Sequence, residues 1–326
     1  MDLRSDTSNE LITAEHVNLA SLHSIRTFAT KWIDNAPPRR LDMIILCANT
    51  FTPPAGKVRP TIDGIDPTFG INYLANFHLL SILSPAIRAQ PPDRDVRIIF
   101  GNCSSYMGGQ LPDFSKKMDN AKVNTSKKAK STGPVTETGK PVSTSAYATS
   151  KYCLTTFAYA FQSHLAGYKR PDTFPMNAKV LLVDPGWTRT PGMRRHLTFG
   201  SLWGLLLYLI MWPFWWFVLK SPQQGAQTFL FAAMQATFEH GEGGWFLKEC
   251  KQAPLMRKEC KEEDIQKELW QGSEKMVEAL EKEGAIKRAR EKKEREAGEA
   301  KKKDEKPAQQ KPEPETKTGS RRSRKA

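Results

Sequence analysis

The sequence predicts a doubly wound α/β fold built on a parallel sheet, and three observations predict it. Short apolar runs of strand length alternate with stretches of helical periodicity. The best of these runs are continuous rather than alternating, as expected of strands covered on both faces. Polar residues suited to chemistry stand just beyond the carboxyl ends of the runs, where such sheets place their sites.

Glu15–Leu19 reads as a short strand. Ser21 then caps a helix whose apolar residues Leu22, Ile25, Phe28, Ala29, Trp32 and Ile33 recur at helical spacing until Pro37 and Pro38 stop it. Leu41–Ala48 is a continuous apolar run of the kind buried in a parallel sheet. A helix is predicted from about Asn72 to Arg88, with Leu74, Phe77, Leu80, Ile82 and Leu83 inward. Val96–Phe100 is the next strand and runs into Gly101-Asn-Cys-Ser-Ser105. Residues 110–143 turn to Lys, Ser, Thr and Pro without periodicity, which predicts a solvated, mobile insertion. A helix follows through residue 161, then a buried strand at Ala178–Asp184 with a sharp turn at Pro185-Gly186. Ala226–Ala236 reads as a helix, Gly244–Leu247 as a strand and Glu262–Leu280 as an amphipathic helix. The chain thus divides into a core at 1–196, an apolar segment at 197–220, a return to the core at 221–281 and a basic, disordered tail at 282–326.

Composition narrows the function classes. With 326 residues and 39% hydrophobic content the chain can bury a full core. The net charge of +14 lies largely in the tail and the polar insertion, and no aromatic platform accompanies it, which argues against nucleic-acid binding. The five cysteines, Cys47, Cys103, Cys153, Cys250 and Cys260, are odd in number and lack the close spacing of metal ligands. They read as reduced thiols of a cytosol-facing protein, with no metal site. The start Met-Asp-Leu-Arg-Ser-Asp holds no apolar run that would act as a secretion signal.

Chemistry concentrates in Ser143-Thr-Ser-Ala-Tyr147-Ala-Thr-Ser-Lys151. On a helix Tyr147 and Lys151 stand one turn apart on one face, and Leu154, Phe157, Ala158 and Phe161 continue an apolar stripe toward the sheet. A free phenol titrates near ~10, so it exchanges protons at neutral pH only with a positive charge beside it. Lys151 supplies that charge.

Asn72, Ser105, Tyr147, Lys151 and Pro185-Gly186, in this order and at these element ends, make the chain resemble the short-chain dehydrogenase/reductase family. The stretches Asp63-Gly-Ile-Asp-Pro-Thr-Phe-Gly-Ile-Asn72, Ser221-Pro-Gln-Gln-Gly-Ala226 and Glu268-Leu-Trp-Gln-Gly-Ser-Glu274 extend the likeness from about Glu15 to Leu280. The branch it resembles is the retinol-dehydrogenase-like one, with fungal members on lipid droplets. The resemblance implies a Rossmann-like sheet and an NAD(P)-dependent enzyme, NADP or NAD, that interconverts an alcohol and a carbonyl on a lipophilic substrate. It implies Tyr147 as general acid or base, Lys151 lowering the phenol's pKa and holding the nicotinamide ribose, Ser105 positioning the substrate oxygen, and Asn72 holding a relay water. Asn18, Cys47, Asn49, Thr188 and Thr190 fall, with Tyr147 and Lys151, at the family's cofactor-binding positions.

The chain departs from that pattern in three ways. The family's first strand and its Gly-rich turn, which seats a pyrophosphate at a helix amino terminus, have no counterpart. The first two strands are therefore expected to be missing, with Leu41–Ala48 left as an apolar edge; a shortened chain is the expectation. Leu46-Cys-Ala-Asn49 replaces the family's Asn-Asn-Ala-Gly, with Asn49 expected in the left-handed conformation that glycine would take, and Asn18 replaces an adenine-side Asp. Finally, Ser105 precedes Tyr147 by more than the family interval, which the insertion explains.

Leu197–Leu219 is 23 residues without a charge and contains Trp203, Trp212, Trp215, Trp216 and a central Pro213. As one helix it would reach ~35 Å, enough to cross a bilayer. Both flanks belong to one folded core, so a hairpin bent near Pro213 and dipping into one leaflet is expected, with Arg194, Arg195 and Lys220 on the cytosolic side. A lipid droplet or the cytosolic face of the endoplasmic reticulum suits such an anchor, and a soluble, greasy substrate lid is the alternative. The reading of the whole chain is a membrane-associated oxidoreductase; its rival is a non-catalytic membrane-associated protein that kept the fold without the cofactor-binding half.

Overall fold

The computed structural model describes residues 3–35, 39–51, 59–114, 146–239 and 241–304. Pro37, Pro38, most of the polar insertion and the end of the tail lie outside the described residues. Two compact units divide the chain at Glu281 and Lys282. The first carries a five-stranded sheet in the order β1 (Met43–Leu46), β2 (Val96–Gly101), β3 (Ala178–Asp184), β4 (Trp245–Lys248) and β5 (Lys251–Gln252), parallel from β1 to β4 and closed by an antiparallel β5.

Side chains of β2 and β3 alternate between two cores, as the period of a strand requires. Ile98, Phe100, Val180 and Leu182 face one core, and Ile99, Leu181 and Val183 face the other. Helices α1 (Leu3–Thr7), α2 (Leu22–Ile33), α3 (Pro67–Phe69), α4 (Ala75–Arg88), α5 (Ala146–Ala166), α6 (Pro191–Leu197), α7 (Leu202–Ile210), α8 (Trp212–Val218), α9 (Pro222–Met234) and α10 (Glu263–Asp304) complete the chain. Buried residues of α2, α4, α5 and the start of α10 fill the first core, while Ala232 of α9 sits in the second, so the sheet is covered on both faces. Phe157 of α5 is the hub of the first core, its ring packing against Tyr73, Phe77, Phe100, Phe161 and Trp270. In the second unit, Lys287–Glu291, Arg290–Glu294 and Lys292–Glu296 pair at one-turn spacing along the exposed helix.

Glu15–Leu19 is not a strand. It has no partner strand among the described residues, and its polar groups are spent on the entry to α2: Asn18 N–H donates to Ser24 Oγ (2.9 Å), and Asn18 Oδ1 accepts from Ala20 N–H (3.0 Å). Ser21 caps α2 as expected, accepting from Ser24 N–H. Among the described residues β1 has a single neighbour, and Ile45 is 48% exposed on it. An unpaired apolar edge is a template for another strand. Ile45→Lys is therefore expected to suppress concentration-dependent self-association, read by light scattering, while thermal stability stays within about 0.5 kcal/mol of the parent.

The apolar segment folds as two helices, not one. A turn at Met211 ends α7, and α8 opens at Trp212 with Pro213 in its first turn, where a missing N–H costs nothing. Among the described residues no helix is long and apolar enough to cross a membrane. Entry and exit lie side by side, since Lys220 N–H donates to Trp187 carbonyl and Arg189 N–H to Lys220 carbonyl, both at 2.9 Å. Leu202, Trp203 (81% exposed) and Phe217 (91%) are bare apolar surface.

Candidate active site

The carboxyl ends of β1, β2 and β3 and the amino-terminal half of α5 converge on one group, the Tyr147 hydroxyl. Lys151 is buried and donates to the Gly101 carbonyl at the end of β2 (2.9 Å). Its Nζ lies 5.8 Å from the centroid of the Tyr147 ring. The two residues thus share one helix face, as their spacing dictates. Asn49, in the loop after β1, donates from Nδ2 to the phenol oxygen (3.1 Å), and Cys103 Sγ stands 3.5 Å from it. Phe51 meets the phenol ring edge-on at 5.4 Å.

Burial pushes the Tyr147 phenol well above its ordinary value, with Cys103 adding to the rise and the Asn49 hydrogen bond opposing it. Burial also lowers the Lys151 ammonium and raises the Cys47 thiol, the latter against the pull of Lys151. The site in this state holds a neutral phenol beside a desolvated cation. A bound group that hydrogen-bonds the phenolate would bring the two pKa values together.

Asn72 is the clamp of the loop that carries Asn49. Its Oδ1 accepts from Thr50 N–H (2.7 Å), and its Nδ2 donates to Thr50 carbonyl (2.9 Å) and to Ser150 Oγ (3.1 Å). The helix around Asn72 runs as a π-turn over Gly70–Leu74, a bulge common at functional sites, and Asn76 Nδ2 donates to the Asn72 carbonyl (2.8 Å). Both the side chain and the backbone carbonyl of Asn72 thus have protein partners. Ser150, one turn beyond Tyr147 on α5, and Cys103 were not singled out by sequence; the i, i+3 spacing of Ser150 from Tyr147 was the available signal, and Cys103 had none.

Several of the other expected residues have partners of their own. Ser105 lies in the 3₁₀ turn Ser104–Gly108 with its side chain exposed, and it makes no hydrogen bond to Tyr147. Its neighbour Ser104 donates to the buried Asp184 (2.6 Å). Thr190 Oγ1 caps α6 by accepting from Met193 N–H (3.2 Å), and Thr188 is buried with its Oγ1 near the Gly186 carbonyl (3.3 Å). Cys47 is exposed at the end of β1, and Asn18 is committed to the α2 entry. Asn49 is not left-handed, so its side chain, rather than a bare backbone, faces the phenol. Gly186 does take a positive φ of 76°, which is what favours glycine at the turn off β3.

Tyr147 and Lys151 fit the ribose and nicotinamide end of a dinucleotide. The pyrophosphate end does not fit: neither a Gly-rich turn nor a strand preceding β1 exists among the described residues to seat it. Titration of this chain with NADPH is expected to give a dissociation constant weaker than about 0.1 mM. Micromolar affinity would show that other residues seat the phosphates.

No family model matches the chain. It is 36% identical over 293 residues to the uncharacterized oxidoreductase pbr1 of Schizosaccharomyces pombe, covering 90% of this chain and 74% of that one. It is 27% identical over 278 residues to human retinol dehydrogenase 13, covering 85% and 72%. A crystal structure of an uncharacterized Mycobacterium paratuberculosis protein superposes with a TM-score of 0.50 at 17% identity, covering 84% of this chain and 80% of that one, a likeness of fold. With the Tyr147–Lys151 pair at the head of a doubly wound parallel sheet, the chain belongs to the short-chain dehydrogenase/reductase family, whose members are NAD(P)-dependent oxidoreductases.

Proposed function

We propose that this chain interconverts an alcohol and a carbonyl on a lipophilic substrate with NADP or NAD, at a membrane or lipid-droplet surface on its cytosolic side. The observation that carries the reading is the Tyr147 hydroxyl, held by Asn49 Nδ2 at 3.1 Å with the Lys151 ammonium beneath its ring. The dinucleotide supplies or accepts the hydride when bound. Tyr147 gives its proton to the substrate oxygen as a carbonyl is reduced and takes one as an alcohol is oxidised. Lys151 and Asn49 steady the phenolate, and Asn72 fixes the loop from which Asn49 reaches in. Ser105 takes the substrate oxygen once the Ser104–Gly108 turn closes on it, since such contacts tighten with substrate bound. Thr188 and Thr190 stand by the nicotinamide end, with Cys47 and Asn49 at the β1 end and Asn18 toward the adenine.

The exposed edge of β1 supports a sheet that two further strands would border. The exposed apolar helices α7 and α8, joined to the core at one point, support a shallow anchor in one leaflet, and a relative named for retinol supports a lipophilic substrate.

The pH profile tests the proton chemistry. Burial raises the phenol, and oxidation needs its ionised form. Alcohol oxidation should therefore climb with pH through the alkaline range, whereas carbonyl reduction should hold level and then fall as the phenol ionises. Lys151→Met, by removing the cation that favours the phenolate, should move both limbs to higher pH. Unmoved limbs in that variant would dissociate Lys151 from the proton donor.

A further inference from the structure

The apolar helices and the turn beside them hold shielded hydrogen-bond donors with no acceptor among the described residues. Arg189, in the turn between β3 and α6, sets its guanidinium over the indole of Trp216, with Cζ 3.7 Å from the ring centroid. Its Nε and Nη1 are shielded from solvent and find no acceptor among the described residues. The same holds for the indole Nε1 of Trp215, whose ring stacks on Tyr208 at 6.1 Å. Buried donors left unpaired are rare, and charged ones are the most costly.

Sequence and charge say what is missing. No Asp or Glu occurs between Asp184 and Glu239, so the whole element lacks an anion of its own. Lys220 at its exit takes Glu249 at 3.0 Å from outside the segment. Arg194 and Arg195 on α6 add exposed positive charge. Around them Trp203, Trp212, Trp216 and Phe217 present bare aromatic surface. The element has apolar area and N–H donors in excess and wants for anionic oxygen. A layer of acidic phospholipid offers the complement, anionic phosphate and ester oxygens above acyl chains.

We infer that Arg189, stacked on Trp216, forms a binding site for the phosphate of an anionic phospholipid, seated while α7 and α8 enter the acyl layer. This site rests on the lipid-surface reading above and adds to it a headgroup preference fixed by one arginine. The stacked guanidinium is a planar fork already held in place, which suits two-point contact with a phosphate.

The test is co-flotation of the full chain with vesicles of phosphatidylcholine alone and of phosphatidylcholine mixed with phosphatidic acid. The parent should bind the mixed vesicles about tenfold more tightly. Arg189→Gln should lose that preference yet still float with phosphatidylcholine, and Arg189→Lys should recover only part of it. Three results would overturn the site: no preference in the parent, an undiminished preference in Arg189→Gln, or loss of the preference in Arg194→Gln/Arg195→Gln while Arg189→Gln keeps it, which is diffuse charge. An Arg189→Gln variant that weakens NADPH binding and leaves the vesicle preference intact would assign the arginine to the cofactor instead. A parent that floats with neither vesicle would remove the lipid-surface reading itself, and the headgroup site with it; binding to both vesicles alike removes the headgroup site alone.

Discussion

Tyr147→Phe is expected to lower kcat by at least about a hundredfold, the scale of a lost general acid or base. The fold should be unaffected. The substitution keeps the ring that Phe51 packs against, and the exposed Asn49 amide that loses its partner is free to hydrate. Cofactor affinity should change little, because the phenol oxygen meets the reacting substrate group. Steady-state rates with a lipophilic aldehyde at saturating NADPH, beside thermal unfolding of both proteins, check this. A folded variant with comparable turnover would take Tyr147 out of its role and favour the non-catalytic rival.

The second large effect belongs to the apolar helices. Leu202 and Phe217 are exposed, at 85% and 91%, so Leu202→Asp and Phe217→Asp cost the soluble fold almost nothing. In lipid each carboxylate costs about 2.5–3.5 kcal/mol, roughly a hundredfold in partition per site. The double variant should therefore stay in solution where the parent floats with vesicles, with its melting temperature unchanged. Continued flotation of the double variant would show that α7 and α8 form a lid over the substrate and no anchor.

Much of the architecture was legible because it follows from local periodicity. The strands at Met43–Leu46, Val96–Gly101, Ala178–Asp184 and Trp245–Lys248 and the helix carrying Tyr147 and Lys151 fall where continuous apolar runs and helical spacing put them. Glu15–Leu19 failed because a strand is a property of a pair, and the same residues, lacking a neighbour, turned their hydrogen bonds inward to cap α2. The capping box of Ser221 and Gln224 starts α9 four residues ahead of the apolar pattern, a start signal that periodicity alone does not weigh.

The site was legible in its residue types and less so in its directions. Tyr147 and Lys151 are tied by a regular helix, so spacing settles their relation. Cys103, extended at the end of β2, meets the phenol, whereas Ser105 lies in the 3₁₀ turn that follows and faces water. Asn49 was expected at a cofactor-binding position with the left-handed backbone of a glycine; with an ordinary φ, its amide reaches the phenol. Likewise a proline inside a 23-residue apolar run marks a bend, but only the backbone hydrogen bonds of Trp187, Arg189 and Lys220 show that both ends meet.

The most direct measurement follows deuterium from NADPH labelled at the nicotinamide C4 into a long-chain ketone presented in vesicles, with the cofactor held at millimolar concentration. Label should appear at the carbinol carbon of the alcohol formed by the parent chain and be absent with Tyr147→Phe. Equal labelling by both proteins, or none from the parent at saturating cofactor, would contradict an acid–base phenol at the head of this sheet.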